Sequence, residues 1–281
     1  MFSAAQNLIS RFNEIKTLPH VVTKLSKLIN DEDSTMKDFE DVIKMDPTLV
    51  VRLLRLVNSP YYGLAQKVDS ISRAVAFIGM KNLYNLAVTD ALKNMFTSLD
   101  DCGGGAYSRK NLWMHCAAVS ICSKVLAERL FGINGDDAYL CGILHDFGII
   151  VEEQVAREEF IAACETDEDS IVTSERQYLR TDHCEVGYLL TREWQMQEDI
   201  QRAIRDHHQL LDVVAPDSLT GILQIAEYLA ARLGYSAIAG TTVILSQDLV
   251  DHVNENMEEY TELLEDLPEE LEKAHDLYGN N

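Results

Sequence analysis

The residues in this chain that could do chemistry are histidines and one aspartate. His145 and Asp146 are adjacent in the run Cys141-Gly142-Ile143-Leu144-His145-Asp146-Phe147-Gly148. Near a helix end, such a pair can aim an imidazole nitrogen and a carboxylate at one ion. Imidazole suits first-row transition metals, and a carboxylate can bridge two of them. An ion held there would lower the pKa of its water toward neutrality. His115, His183, His207 and His208 occupy further helix-compatible positions. Taken singly, each has a plainer explanation. A lone imidazole on an apolar helix face, such as His115, is ordinarily a satisfied core residue. His207-His208 alone would be a solvated helix end with one ring near the C-terminal dipole. Asp146 alone would cap a helix. The pattern as a whole is stronger than its parts.

The elements that must position these residues are helical. Hydrophobic residues make up 47% of 281, enough for a sizeable core, and they recur at helical spacing. A long helix is expected over residues 109–130, with Met114, Ala118, Ile121 and Val125 on one face. Others are expected around 138–150, 185–194, 199–207 and 219–233. Before them, Val21, Leu25, Leu28 and Ile29 mark one short helix, and Met36, Phe39, Val42 and Ile43 mark another. Asp46-Pro47 reads as an N-cap followed by proline at the first helical position. That helix carries Leu49, Val50, Leu53, Leu54 and Val57 and stops at Asn58-Ser59-Pro60. Ser70 or Ser72 caps the next, whose register Gly79 breaks. Strand-like alternation is nearly absent, so the expected fold is all-α: two packed helical subdomains, the second a metal-site bundle.

The run Asp100-Asp101-Cys102-Gly103-Gly104-Gly105 has no periodicity and costs too much backbone entropy for a helix. It sets the expected boundaries: an N-terminal subdomain 1–100, a linker 101–106, a second subdomain 107–250 and an acidic segment 251–281. The last carries eleven acidic residues and one lysine, and Leu263, Leu264, Leu267 and Leu271 could form a peripheral amphipathic helix in it. With 24 Lys+Arg against 46 Asp+Glu, the net charge is −22. Such a surface repels nucleic-acid phosphates and anionic membranes, so neither is an expected partner. The six cysteines form no CxxC pair, the N-terminus resembles no signal peptide, and no apolar run reaches a membrane span. A cytosolic location is expected.

The order of these motifs resembles the HD superfamily. It runs from His115 through Gly142-Ile143-Leu144-His145-Asp146-Phe147-Gly148, His183-Cys184-Glu185-Val186-Gly187 and His207-His208-Gln209 to Ile225-Ala226-Glu227-Tyr228-Leu229-Ala230. It is most similar to the HD-GYP layout, whose members are metal-dependent phosphohydrolases acting on cyclic di-GMP. The first half resembles the related HDOD family, through Asp46-Pro47-Thr48-Leu49, Leu53-Leu54-Arg55-Leu56-Val57-Asn58-Ser59-Pro60 and Ser70-Ile71-Ser72-Arg73-Ala74-Val75 leading to Ile78-Gly79. Together these segments span residues 15 to 235.

The resemblance implies metal ligands at His115, His145, Asp146, His183, His207 and His208. Glu227 stands where the superfamily usually has its closing aspartate, and Asp146 is the implied catalytic carboxylate. The implied cofactor is one or two divalent transition ions, with iron, manganese or nickel as candidates. Three departures stand out. Ile149 follows Gly148 where the catalytic relatives have lysine, Asn111 stands where some supply a glutamate, and Gln209-Leu210-Leu211-Asp212-Val213 replaces the Gly-Tyr-Pro loop. The HDOD resemblance implies a role in bacterial signal transduction, through a protein partner or a small regulator. The alternative is a metal-dependent phosphohydrolase acting on a nucleotide or other phosphate ester, though not on cyclic di-GMP. A third reading treats the histidines as remnants in a metal-free interaction module.

Overall fold

The computed structural model describes residues 3–12, 20–31, 33–59, 62–97, 106–166, 168 and 170–278. The glycine-rich linker expected at 101–106 lies almost wholly outside the described residues. Every regular element among those described is a helix, and an isolated bridge between Tyr107 and Ile238 is the nearest thing to a strand. The fold is all-α. The chain divides into two compact units, residues 1–16 with 96–267, and residues 17–95 with 268–281.

The second of these holds α2 (His20–Ile29), α3 (Met36–Lys44), α4 (Pro47–Val57) and most of α5 (Ile71–Thr97). Asp46 caps α4 as its sequence suggests, its Oδ1 accepting from Leu49 N at 3.0 Å. Gly79 adopts φ 80°, ψ 162° and kinks α5 there, a backbone region that glycine enters at little cost. Asn58 explains why the loop after α4 turns back: its Nδ2 donates to Leu54 O and Val68 O, and its Oδ1 accepts from Val68 N.

The first unit carries the candidate metal ligands. It comprises α1 (Ala4–Arg11), α6 (Arg109–Val125), α7 (Asp136–Leu144), α8 (Phe147–Val155), α9 (Arg157–Cys164), α10 (Ile171–Tyr178), α11 (His183–Glu193), α12 (Glu198–Asp206), α13 (Leu219–Arg232), α14 (Gln247–Glu255) and the first part of α15 (Met257–Tyr278). The long helix expected over 109–130 is α-helical to Val125 and finishes as a π-helical turn, Leu126–Leu130. Caps fix the starts of three ligand-bearing helices. Ser108 Oγ accepts from Asn111 N, Asp182 Oδ1 from Glu185 N, and Ser218 Oγ from Gly221 N. Each such cap stabilises its helix by about 1 kcal/mol. Helix α6 packs on α7 and α13, while α11 packs on α8 and α12. In the amphipathic C-terminal helix α15, Tyr260, Leu263 and Leu267 are buried.

Candidate metal centre

His115 projects from the middle of α6, but the neighbouring pair owes its position to a break. The sequence pattern suggests one helix over 138–150; the structure divides it into α7 and α8 at His145-Asp146. Asp146, at φ −96° and ψ 9°, is the N-cap of α8. Apolar residues continue on both sides, so periodicity alone does not reveal the turn. Two glycines allow the surrounding helices to close. A Cβ on Gly142 would meet Ser120 Cα at 2.4 Å, where α7 crosses α6. A Cβ on Gly148 would meet His183 O at 2.1 Å, where α8 meets the start of α11. His183 opens α11, His207 ends α12, His208 follows it, and Glu227 lies within α13.

All seven residues named from the sequence come together. Asp146 Oδ2 lies 3.3 Å from His115 Nε2 and 3.3 Å from His145 Nε2. Its other oxygen, Oδ1, lies 3.3 Å from His183 Nε2 and 3.6 Å from His207 Nε2. His208 Nε2 is 3.6 Å from Glu227 Oε1. Two groups therefore adjoin: Asp146, His183, His207 and His208 on one side, His115, His145 and Glu227 on the other. Either arrangement could hold an ion, and the Asp146 carboxylate faces both.

The imidazoles are oriented from behind. His115 Nδ1 meets Tyr235 O at 2.9 Å, His145 Nδ1 meets Gly142 O at 2.8 Å, and His207 Nδ1 meets Ile204 O at 2.6 Å. His183 Nδ1 meets Glu175 Oε2 at 2.7 Å. A carbonyl or carboxylate can only accept, so each Nδ1 donates, and a neutral ring then turns a lone pair inward at Nε2. Yet the Nε2 atoms of His115 and His145 are 3.1 Å apart, and those of His183 and His207 are 3.3 Å apart. Two imidazole nitrogens at that distance need a proton or a metal ion between them. Asp146 Oδ1 and Glu227 Oε2 are buried without a hydrogen-bond partner, a costly state that a cation relieves. The residues fit a divalent transition ion.

Protons compete for the same space. Burial disfavours a charged His115, but Asp146 outweighs it and raises its pKa. Burial also opposes charge on His183 and His207, yet nearby Cys184, with Glu175 for the first and Asp146 for the second, raises both well above the ordinary value. Burial and neighbouring imidazoles keep the pKa values of His145 and His208 low. A metal entering the cluster must therefore displace protons from His115, His183 and His207. Its affinity should rise with pH through the range above ~6.5, the ordinary imidazole value, and weaken as pH falls. Chelator competition across that range checks the sign; pH-independent uptake would show that these rings are not displaced.

The HDOD domain model matches residues 15–210, about seven-tenths of the chain. The chain belongs to the HDOD family. An uncharacterised protein of Treponema pallidum (strain Nichols) is 29% identical to this HDOD chain over 214 residues. That match covers 73% of the chain and 40% of the Treponema protein, so the chain spans less than half the length of that relative. Among solved structures, an HDOD domain protein of unknown function from Geobacter sulfurreducens is similar, at 24% identity and TM-score 0.70, over 94% of this chain and 97% of that one. A candidate phosphohydrolase from Shewanella amazonensis is similar at 27% identity and TM-score 0.66, over 98% and 96%.

In this HDOD chain a cavity of about 40 Å³ opens over the cluster, with His115, Asp146, His183, His208 and Glu227 in its wall. That is room for a few waters or ions. Ile149, 1% exposed, forms part of the wall. No lysine or arginine is among the described residues that line the cavity. Arg157 pairs with Glu153, Arg176 pairs with Asp182, and Arg180 is exposed; none of the three lines the cavity in place of the lysine absent at 149. Asn111 is exposed, one turn from His115.

Three further residues adjoin the ligands and were not legible in the sequence. Glu175, fully buried in α10, also accepts from His183 N. Glu152 in α8 is fully buried beside it; burial and the Glu175 carboxylate push its pKa well above the usual carboxylate range. Cys184 places Sγ 3.6 Å from His183 Nε2 and 4.0 Å from His207 Nε2. The available signals were an acidic pair within the apolar run of α8 and a glutamate eight positions before His183.

Proposed function

We propose that this chain is a signalling module that works by binding, with a transition-metal centre as part of its recognition surface and phosphate-ester hydrolysis weak. The observation that carries the reading is a ligand-rich cluster beneath a cavity whose described lining residues include no lysine or arginine. An ion held there would supply Lewis-acid polarisation and acidify a water. The chain's own residues supply orientation: Asp146 faces both ion positions, Tyr235, Gly142, Ile204 and Glu175 hold the imidazoles, and Ile149 keeps one wall dry. No lysine or arginine is among the described residues of the wall to face phosphate oxygens, on whose charge stabilisation phosphoryl transfer depends. The ligand is a protein partner or a small regulator of low negative charge, consistent with a net charge of −22. No described helix is long and apolar enough to cross a membrane; the cytosolic location expected from the sequence remains part of this proposal.

The phosphohydrolase reading has its own support. One carboxylate facing two ligand groups is a geometry suited to paired ions, and a Shewanella amazonensis relative is named as a candidate phosphohydrolase. The two readings separate on Ile149→Lys. With metal content matched and folding checked by circular dichroism, wild type should turn over phosphate esters well below ~1 per second. The variant should gain roughly 10²–10³-fold, the usual value of one well-placed charge. A wild type already at enzyme-like rates on a nucleotide, unimproved by lysine, would reverse the order of the readings.

A further inference from the structure

We infer that Cys184 is a metal ligand, its thiolate completing the coordination of the ion held by Asp146, His183 and His207. The inference rests on the metal-binding reading above and gives that half of the centre a mixed nitrogen, oxygen and sulfur donor set. Cys184 sits in the first turn of α11 and is 4% exposed. Its Sγ lies 3.6 Å from His183 Nε2 and 4.0 Å from His207 Nε2. Those two nitrogens are 3.3 Å apart, and Asp146 Oδ1 is 3.3 and 3.6 Å from them.

These five lengths resemble five of the six edges of a coordination tetrahedron. With metal–nitrogen bonds of ~2.0–2.1 Å and metal–sulfur bonds of ~2.3 Å, nitrogen or oxygen donors stand about 3.4 Å apart and nitrogen and sulfur about 3.6 Å. The observed separations lie at these values or within about half an ångström, so small movements would seat an ion. Asp146 Oδ1 is the independent observation: buried, without a hydrogen-bond partner and turned toward the same two imidazoles. On binding, the metal–sulfur bond forms as the thiol proton leaves to solvent, with no change of oxidation state.

The consequence is chemical asymmetry. His115, His145 and Glu227 offer only nitrogen and oxygen, whereas a thiolate biases its half toward zinc or cobalt over manganese. His208, within reach of the Cys184 half, then remains beside Glu227. The experiment is cobalt(II) titration of chelator-stripped full chain, read by absorbance. Wild type should develop a sulfur-to-cobalt charge-transfer band in the near ultraviolet together with visible ligand-field bands. Cys184→Ser should lose the former and keep the latter, with zinc affinity down at least ~10–100-fold, while Cys116→Ser should change neither. Should Cys184→Ser not fold, zinc-edge X-ray absorption of wild type reads the same bond, as a sulfur scatterer at about 2.3 Å. Ligand-field bands without the ultraviolet band, a band that survives Cys184→Ser, or a zinc shell without sulfur would overturn the cysteine assignment and leave the nitrogen–oxygen centre standing. No cobalt uptake at all would overturn both.

Discussion

Asp146→Asn should strip metal from both halves of the centre at once. The substitution keeps the side chain's shape and removes its charge, so the α7–α8 corner can still form. What it removes is an anion within 3.3 to 3.6 Å of four imidazole nitrogens, two from each group. Losing a supporting residue beyond the ligands costs ~10–100-fold in affinity, and a ligand facing two ions should cost more than that at each. Metal content after gel filtration, with chelator competition for the residual affinity, measures it. His115→Gln is the contrast, expected to weaken one group and spare the other. Wild-type metal content in Asp146→Asn would sink the assignment of this carboxylate.

A second large effect is expected from a change that replaces no candidate ligand. Gly148→Ala places a methyl 2.1 Å from the backbone oxygen of His183, and a backbone atom cannot swing aside as a side chain can. Either α8 or α11 must move, and these two helices carry Asp146 and His183. Overpacking of this kind ordinarily costs about 1–3 kcal/mol; contact with backbone at such range puts Gly148→Ala at or above the upper end. Urea denaturation of the chelated protein reads the stability, and metal affinity should fall with it. A variant as stable as wild type and loading metal normally would show that the two helices are not locked at this point.

The candidate ligands could be named because their identities are scarce and their order is characteristic. Five histidines and the His-Asp pair could be named from spacing and resemblance, and Glu227 from its place in the order. What surrounds them was less legible, for physical reasons. The turn at His145-Asp146 is hidden because Ile143, Leu144, Phe147 and Ile149 keep the run apolar through it, and burial rather than periodicity dictates both helices. Helix α10 is eight residues long with an exposed polar side, too short to announce itself, and so Glu175 went unseen. Cys184 belongs to no CxxC pair, and a buried thiol ordinarily behaves as a small hydrophobe; its distance from two imidazoles is what draws attention to it. In the N-terminal half, Asp46-Pro47 and Gly79 behave as their chemistry dictates, since a cap and a positive φ are local properties.

The seven candidate ligands come from helices α6, α7, α11, α12 and α13 and the corner before α8, strung between positions 115 and 227. An ion at their meeting point is therefore a cross-link as well as a reagent. Without it, each helix can open against its own packing alone, and amide exchange would report several separate opening free energies. With it, no ligand-bearing helix can swing out unless a coordination bond breaks, and the binding free energy is added to every such opening. The ion would turn neighbouring helices into one cooperative unit, so that loading the centre changes how the molecule breathes before it changes what the molecule touches.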